Sequence, residues 1–109
     1  MSLREIYVLI LHHDIQLDDL KEICAGLEEE GVPYLLQEEK QLDTCMQLSA
    51  KAASNSPLQV GIGIDRFGNI CVQHEKLKED APYLRGELKN SRQAGKNAAR
   101  MVKGLSLTL

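Results

Sequence analysis

Four groups of residues in this chain have types and spacings that could do chemistry. They are the stretch Val60 to Asp65 (VGIGID) with the Arg66-Phe67-Gly68 behind it, the run His12-His13-Asp14 with His74, the triplet Glu28-Glu29-Glu30, and the series Arg92, Lys96, Arg100 and Lys103. A strand that ends in aspartate and turns through glycine is how some two-lobed ATPases hold a metal-bound triphosphate. A phosphate cradle, however, needs a glycine-rich turn opening onto a helix N-terminus, whose free N–H groups point at the anion. Here Gly68-Asn69, able to take positive φ, lead into Ile70-Cys71-Val72, a second strand, so the turn reads as a hairpin. No Lys-Ser/Thr pair follows. Gly61 and Gly63 instead lie at period two and leave one strand face bare, while Val60, Ile62 and Ile64 fill the other. A helix or another backbone is expected on the bare face, and no nucleotide.

The histidines could suggest a metal. Zinc needs three or four converging ligands, and adjacent residues on extended backbone point opposite ways, so His12 and His13 do not easily share an ion. They read as loop residues without a ligand. The D-x-H-x-x-G pattern of direct cobalamin binding is absent.

The triplet Glu28-Glu29-Glu30 falls at a helix C-terminus, where the macrodipole disfavours each carboxylate by roughly 0.3–1 kcal/mol at low salt. On the helical projection Glu29 lies nearly opposite the Leu20, Ile23, Leu27 stripe and points away from its own core. A solvated glutamate is the common explanation of such a residue; three carboxylates placed against the dipole also suggest a charged contact or a metal ligand offered to a partner. The basic series spans roughly 80° of a helical wheel, opposite Ala94, Ala98, Met101 and Val102. It is either a solvated face that suits the helix C-terminus or a docking surface for an acidic partner. Four like charges have little intramolecular reason to align, which favours docking. Nucleic acid is not expected, because aromatic interleaving is missing and the net charge is −3.

These residues need positioning elements. Ile6 to Leu11 is an unbroken apolar run, as in a central strand buried on both faces. Leu17, Leu20, Ile23, Cys24 and Leu27 predict a helix over about 17–30, stopped by Gly31 and Pro33. Pro33 to Gln37 is a second strand; Leu42, Cys45, Met46, Ser49 and Ala53 mark a second helix ending before Asn55; Val60 to Asp65 is the third strand. Leu77 to Glu87 reads as a loop, Ser91 to Lys103 as the last helix closed by Gly104, and Leu105 to Leu109 as a possible edge strand. The order β-α-β-α-β-β-α predicts a layered α/β domain over 1–109, with helices on both sides of a mixed sheet.

At 109 residues the chain has room for one core and not for a cleft between two lobes. Without tryptophan and with Phe67 as its sole phenylalanine, that core must be aliphatic. No apolar run is long enough to span a bilayer, and Met1 to Leu11 lacks the features of a signal peptide, so a cytoplasmic location is expected. Three cysteines without C-x-x-C spacing read as buried reduced thiols.

The blocks GLEEEGVP, NSPLQVGIGIDRFGN, EDAPYL and KNAARMVKG, in this order over about residues 26–104, resemble the small subunit of the glycerol or propanediol (diol) dehydratase reactivase. The resemblance implies a three-layer α/β/α fold like the medium subunit of the cobalamin-dependent dehydratase, with a five-stranded mixed sheet in order 2-1-3-4-5 and strand four antiparallel. It implies a heterotetramer in which the large subunit is an Hsp70-like ATPase that holds ATP or ADP, while this chain has no catalysis of its own. Its implied role is subunit exchange: the small subunit leaves, the large subunit grips the similar dehydratase subunit, and damaged cobalamin escapes. It also implies that a glutamate matching Glu29 ligates a divalent ion, Mg or Ca, at the interface with the large subunit. Glu28, Glu30, Arg92, Lys96, Arg100 and Lys103 are expected around that contact. A bacterial microcompartment is a further possible location.

Two other readings stand beside this one. A dehydratase medium subunit fragment should carry extra segments that are not seen here. A small-molecule-binding α/β module should show a polar pocket at the strand C-termini near His12 and Asp65.

Overall fold

The computed structural model describes residues 6–41, 43–77 and 84–104. The first strand, β1 (Val8–His12), is buried at every position, as an apolar run flanked by strands on both sides requires. A short 3₁₀ turn (Leu17–Leu20) feeds α1 (Lys21–Glu29), then come β2 (Tyr34–Glu38), α2 (Cys45–Asn55), β3 (Val60–Ile64), β4 (Asn69–His74), β5 (Leu84–Glu87), a second 3₁₀ turn (Leu88–Asn90) and α3 (Ser91–Lys103). The sheet order is β2-β1-β3-β4-β5. The β1 strand pairs parallel with β2 and β3, and β4 pairs antiparallel with β3 and β5. Sheet order and the antiparallel fourth strand are as expected.

The helices divide between the two faces. Val8, Ile10, Val60, Ile62, Ile64, Ile70 and Val72 form one core with Leu20, Ile23 and Leu27 of the α1 side and Ala98 and Ala99 of α3. On the other face Leu9 and Leu11 pack with Leu48 and Ala52 of α2. Gly61 and Gly63 explain how α2 comes so close: a Cβ on Gly61 would run into the backbone at Ala52 and Ala53, and one on Gly63 into Ser49 N and Cys45 O. The bare strand face is therefore covered by a helix, as the period-two glycines predict. The α2 helix starts with a capping box: Gln47 N donates to Thr44 Oγ1 at 3.2 Å and Thr44 N to Gln47 Oε1 at 3.0 Å.

The loop expected over residues 77–87 is corrected. Leu84–Glu87, read as part of a loop, is the edge strand β5, with Ile70 opposite Gly86 and Cys71 opposite Arg85. Four residues with a glycine and two charges give no period-two signal of their own; pairing with β4 makes them a strand. The proposed edge strand at Leu105–Leu109 and most of the EDAPYL block lie outside the described residues.

Candidate partner-binding face

The α1 and α3 helices lie against each other because each presents a glycine at the crossing. A Cβ on Gly26 would collide with Arg92 O, and one on Gly95 with Ile23 O. Backbones this close bring the flanking charged side chains of both helices together. Glu29 Oε1 lies 3.2 Å from Arg92 Nε, and Glu29 Oε2 lies 3.7 Å from Lys96 Nζ. Arg92 Nε also lies 3.6 Å from Glu22 Oε1. Glu30 faces Lys103 Nζ at 3.5 Å and Arg100 Nη2 at 4.0 Å. All four residues of the basic stripe thus have acidic partners on α1 or at its C-terminus, and the stripe has an intramolecular reason to be aligned. That part of the argument for docking falls away. The sequence reading missed Glu22, although its spacing of seven from Glu29 puts both on one helix face.

The acidic triplet separates into three directions. Glu28 accepts a hydrogen bond from the Tyr34 hydroxyl at 2.6 Å. That bond to the carboxylate, with burial second, pushes the Tyr34 phenol well above its ordinary range. Glu30 has a side chain only 17% exposed, while Glu29 keeps 41%. Glu29 is a hard oxygen donor, half open to solvent, on a rotatable stem, so it can offer one oxygen to Mg²⁺ or Ca²⁺. Arg92 and Lys96 compete for the same carboxylate. Among the described residues no three His, Cys, Asp or Glu side chains gather as a metal site, so other ligands would have to come from a second molecule.

The carboxyl ends of the strands look different from a ligand rim. His12 is the last residue of β1 and not a loop residue; it is 4% exposed, and its Nδ1 is buried without a partner. Burial lowers its pKa, and Glu38, opposite it on β2, only partly offsets this. His13 Nδ1 instead reaches Glu39 O at 2.7 Å, and Lys76 N donates to His74 Nδ1 at 3.2 Å, so the three rings serve three separate places. Asp65 closes the hairpin. Its Oδ1 accepts from Phe67 N and Asn69 N, both at 2.9 Å, and its Oδ2 from Asn69 Nδ2 at 3.0 Å, around Gly68 at φ 86°. A depression of about 350 Å³ beside it is lined by Asp43, Thr44, Gln47, Asp65, Arg66 and Phe67. His12 does not line it, so the polar pocket joining His12 and Asp65 that a small-molecule module would need is not formed there.

The chain matches the family model described as "Dehydratase medium subunit" over residues 6–108. It belongs to that family. Among curated relatives, the propanediol dehydratase-reactivating factor small subunit of Salmonella typhimurium is 39% identical over 88 residues, 77% of this chain and 74% of that protein. The diol dehydratase-reactivating factor small subunit of Klebsiella michiganensis is 37% identical over 92 residues, 78% of this chain and 70% of that one. Two solved structures share the fold. A glycerol dehydratase reactivase chain superposes with a TM-score of 0.91 at 34% identity, covering 95% of this chain and 97% of that one. A chain of a diol dehydratase-reactivating factor complexed with ADP and Mg²⁺ gives 0.85 at 31% identity, covering 95% and 98%. The resemblance to the reactivase small subunit read from the sequence blocks is borne out. No described helix is long and apolar enough to cross a membrane.

Proposed function

We propose that this chain is the non-catalytic small subunit of an ATP-dependent reactivating factor for cobalamin-dependent diol or glycerol dehydratases. It acts as a placeholder on the large subunit. When a dehydratase holding damaged cofactor arrives, the placeholder leaves and a dehydratase subunit of the same fold takes its position, which loosens the enzyme and frees the cofactor. One observation carries this reading: most of the chain matches both a dehydratase medium subunit model and the small subunits of reactivating factors. Two proteins that compete for one surface need a common shape, and a single family supplies it.

The partner face in this reading is the α1–α3 surface, with Glu28, Glu30, Arg92, Lys96, Arg100 and Lys103 around Glu29. On assembly Glu29 turns one oxygen toward a divalent ion held mainly by the large subunit. ATP and ADP belong to that subunit, and the complex works in the cytoplasm or inside a bacterial microcompartment. The test is reconstitution. Purified large subunit and this chain should form a complex that, with ATP and Mg²⁺, releases the chain on mixing with inactivated dehydratase and restores turnover once intact cofactor is added. Failure of the chain to bind the large subunit, or reactivation at the same rate without the chain ever leaving, would overturn the proposal.

A further inference from the structure

The face of the sheet opposite α1 and α3 holds a pair of sulfurs that the proposed function does not use. Gly63 of β3 stands opposite Cys71 of β4 in the sheet register. Because Gly63 has no side chain, the first turn of α2 sinks onto the sheet at this point, with Cys45 O and Ser49 N against the glycine. Cys45, the first residue of α2, is thereby set over the neighbouring strand, with its Sγ 2.9 Å from Cys71 Sγ. Both thiols are free. Cys24, the third cysteine, belongs to the core on the other face of the sheet.

We propose that Cys45 and Cys71 form an oxidisable site, which exchanges with a low-molecular-weight disulfide to give an intramolecular disulfide fastening α2 to β4. Closing 2.9 Å to the S–S bond length of about 2.05 Å takes a movement of roughly 0.9 Å, within the reach of side-chain rotation. The two sulfurs have different roles. Cys45 is the partly exposed one of the two, on the first turn of α2, so it meets the reagent first. Cys71 is fully buried, and its thiol is pushed up to about 12, first by burial and then by Cys45; Asp65 adds to this and Arg85 opposes it. It stays protonated and unreactive until a mixed disulfide forms beside it.

In the first step the Cys45 thiolate attacks RSSR, forming the mixed disulfide Cys45–S–S–R and releasing RS⁻. In the second, Cys71 attacks Cys45 Sγ and its proton leaves with the departing sulfur, releasing the second thiol as RSH. Two thiols of the protein are oxidised and one external disulfide is reduced to two thiols. The disulfide does not depend on the partner or client of this chain, because both thiols belong to its own fold.

The reduced chain is incubated with glutathione and glutathione disulfide at a series of ratios. Remaining thiols are then alkylated under denaturing conditions, and intact and peptide masses are read. The expected product is a chain lighter by two hydrogens that takes up alkylating agent at Cys24 only, with the peptide holding Cys45 joined to that holding Cys71. Its urea midpoint should shift upward relative to the reduced chain. Cys24→Ser should leave the product unchanged, and Cys45→Ser should abolish it while Cys71 remains unmodified. Three alkylatable thiols at every ratio, glutathione retained on Cys45 of the wild type, or a bond to Cys24 would each overturn the proposal.

Discussion

Gly63→Ala adds one carbon at the closest approach of α2 to the sheet, and its cost can be worked from the packing. The new Cβ would sit 2.5 Å from Cys45 O and 2.7 Å from Leu48 Cβ, and closer still to Ser49 N. Two of these three atoms are helix backbone, which cannot rotate away as the end of a side chain can. Restoring ordinary contact at 3.4 Å with the nearest of them lifts the first turns of α2 by roughly 1 Å, a gap that forfeits about a quarter to a half of each van der Waals well. Leu48, fully buried under α2, makes on the order of 50 such contacts worth about 0.15 kcal/mol each, so a quarter lost is about 2 kcal/mol. Partial relaxation offsets some of this, and the losses at Ala52 and Ser49 add to it. A net destabilisation of about 2–4 kcal/mol follows, overlapping the upper part of the usual range of about 1–3 kcal/mol for overpacking. That is a large share of the roughly 5–15 kcal/mol that holds a domain together. Urea unfolding of wild type and variant measures it. Gly86→Ala is the control: a Cβ there meets nothing within 4 Å and its φ is not positive, so its stability should stay within about 0.5 kcal/mol of wild type or rise slightly. If Gly63→Ala behaved like Gly86→Ala, the close packing of α2 on β3 would be wrong.

Four further outcomes are expected. A double-mutant cycle between Glu29 and Arg92 in the isolated chain should give a coupling of roughly 0.2–1 kcal/mol that fades with salt, because both side chains are about half exposed; a larger, salt-insensitive value would contradict this geometry. Glu29→Gln should weaken Mg²⁺-dependent association with the large subunit, measured with metal and with chelator, whereas Glu28→Gln and Glu30→Gln should not; an unchanged metal dependence in Glu29→Gln refutes the ligand assignment. Calorimetric titration of the isolated chain with Mg-ATP should show no binding, and micromolar binding lost in Asp65→Ala would reverse the hairpin argument. Finally, His12 has a folded pKa below the 6.5 of the unfolded chain, so its neutral form favours folding above that pH. This advantage is lost as pH falls from 6.5 toward the depressed folded value; wild type should lose stability there faster than His12→Gln, and parallel pH profiles would exclude the effect.

The elements that announced themselves in the sequence are those with a strong period or a strong stop. The apolar run before His12, the stripe Ile23, Cys24, Leu27, and the glycines of VGIGID each name the surface they bury, and close cover of one face of β3, by a helix or another backbone, follows from Gly61 and Gly63. By contrast β5 is specified by its neighbour: Arg85 and Gly86 carry no strand preference, and only the free edge of β4 makes them one. The crossing of α1 and α3 was also hidden, since Gly26 and Gly95 become informative only when paired across the two helices. The ion pairs between Glu22, Glu29, Glu30 and the basic stripe depend on that crossing, so a wheel drawn for each helix separately read them as two unpartnered faces. Cys45 and Cys71 were likewise unreadable as a pair, because their juxtaposition depends on a glycine in a third element.

That crossing bears on how the chain, in the placeholder role proposed above, would be both held and released. Each α1–α3 ion pair has side chains partly open to water and is worth little by itself. Trading Arg92 or Lys96 from Glu29 to an acidic group of a partner therefore costs little net free energy, while the freed Glu29 carboxylate becomes available to a divalent ion. A face whose charges were unpaired in the free chain would bind more tightly and leave more slowly, which opposes exchange. A face of purely apolar side chains would expose them each time the subunit left. Pre-paired charges avoid both. The free chain stays internally compensated, and on the proposed Glu29 assignment the bound state would be favoured by the metal contact together with shape complementarity, so removing the ion should speed release more than it slows encounter.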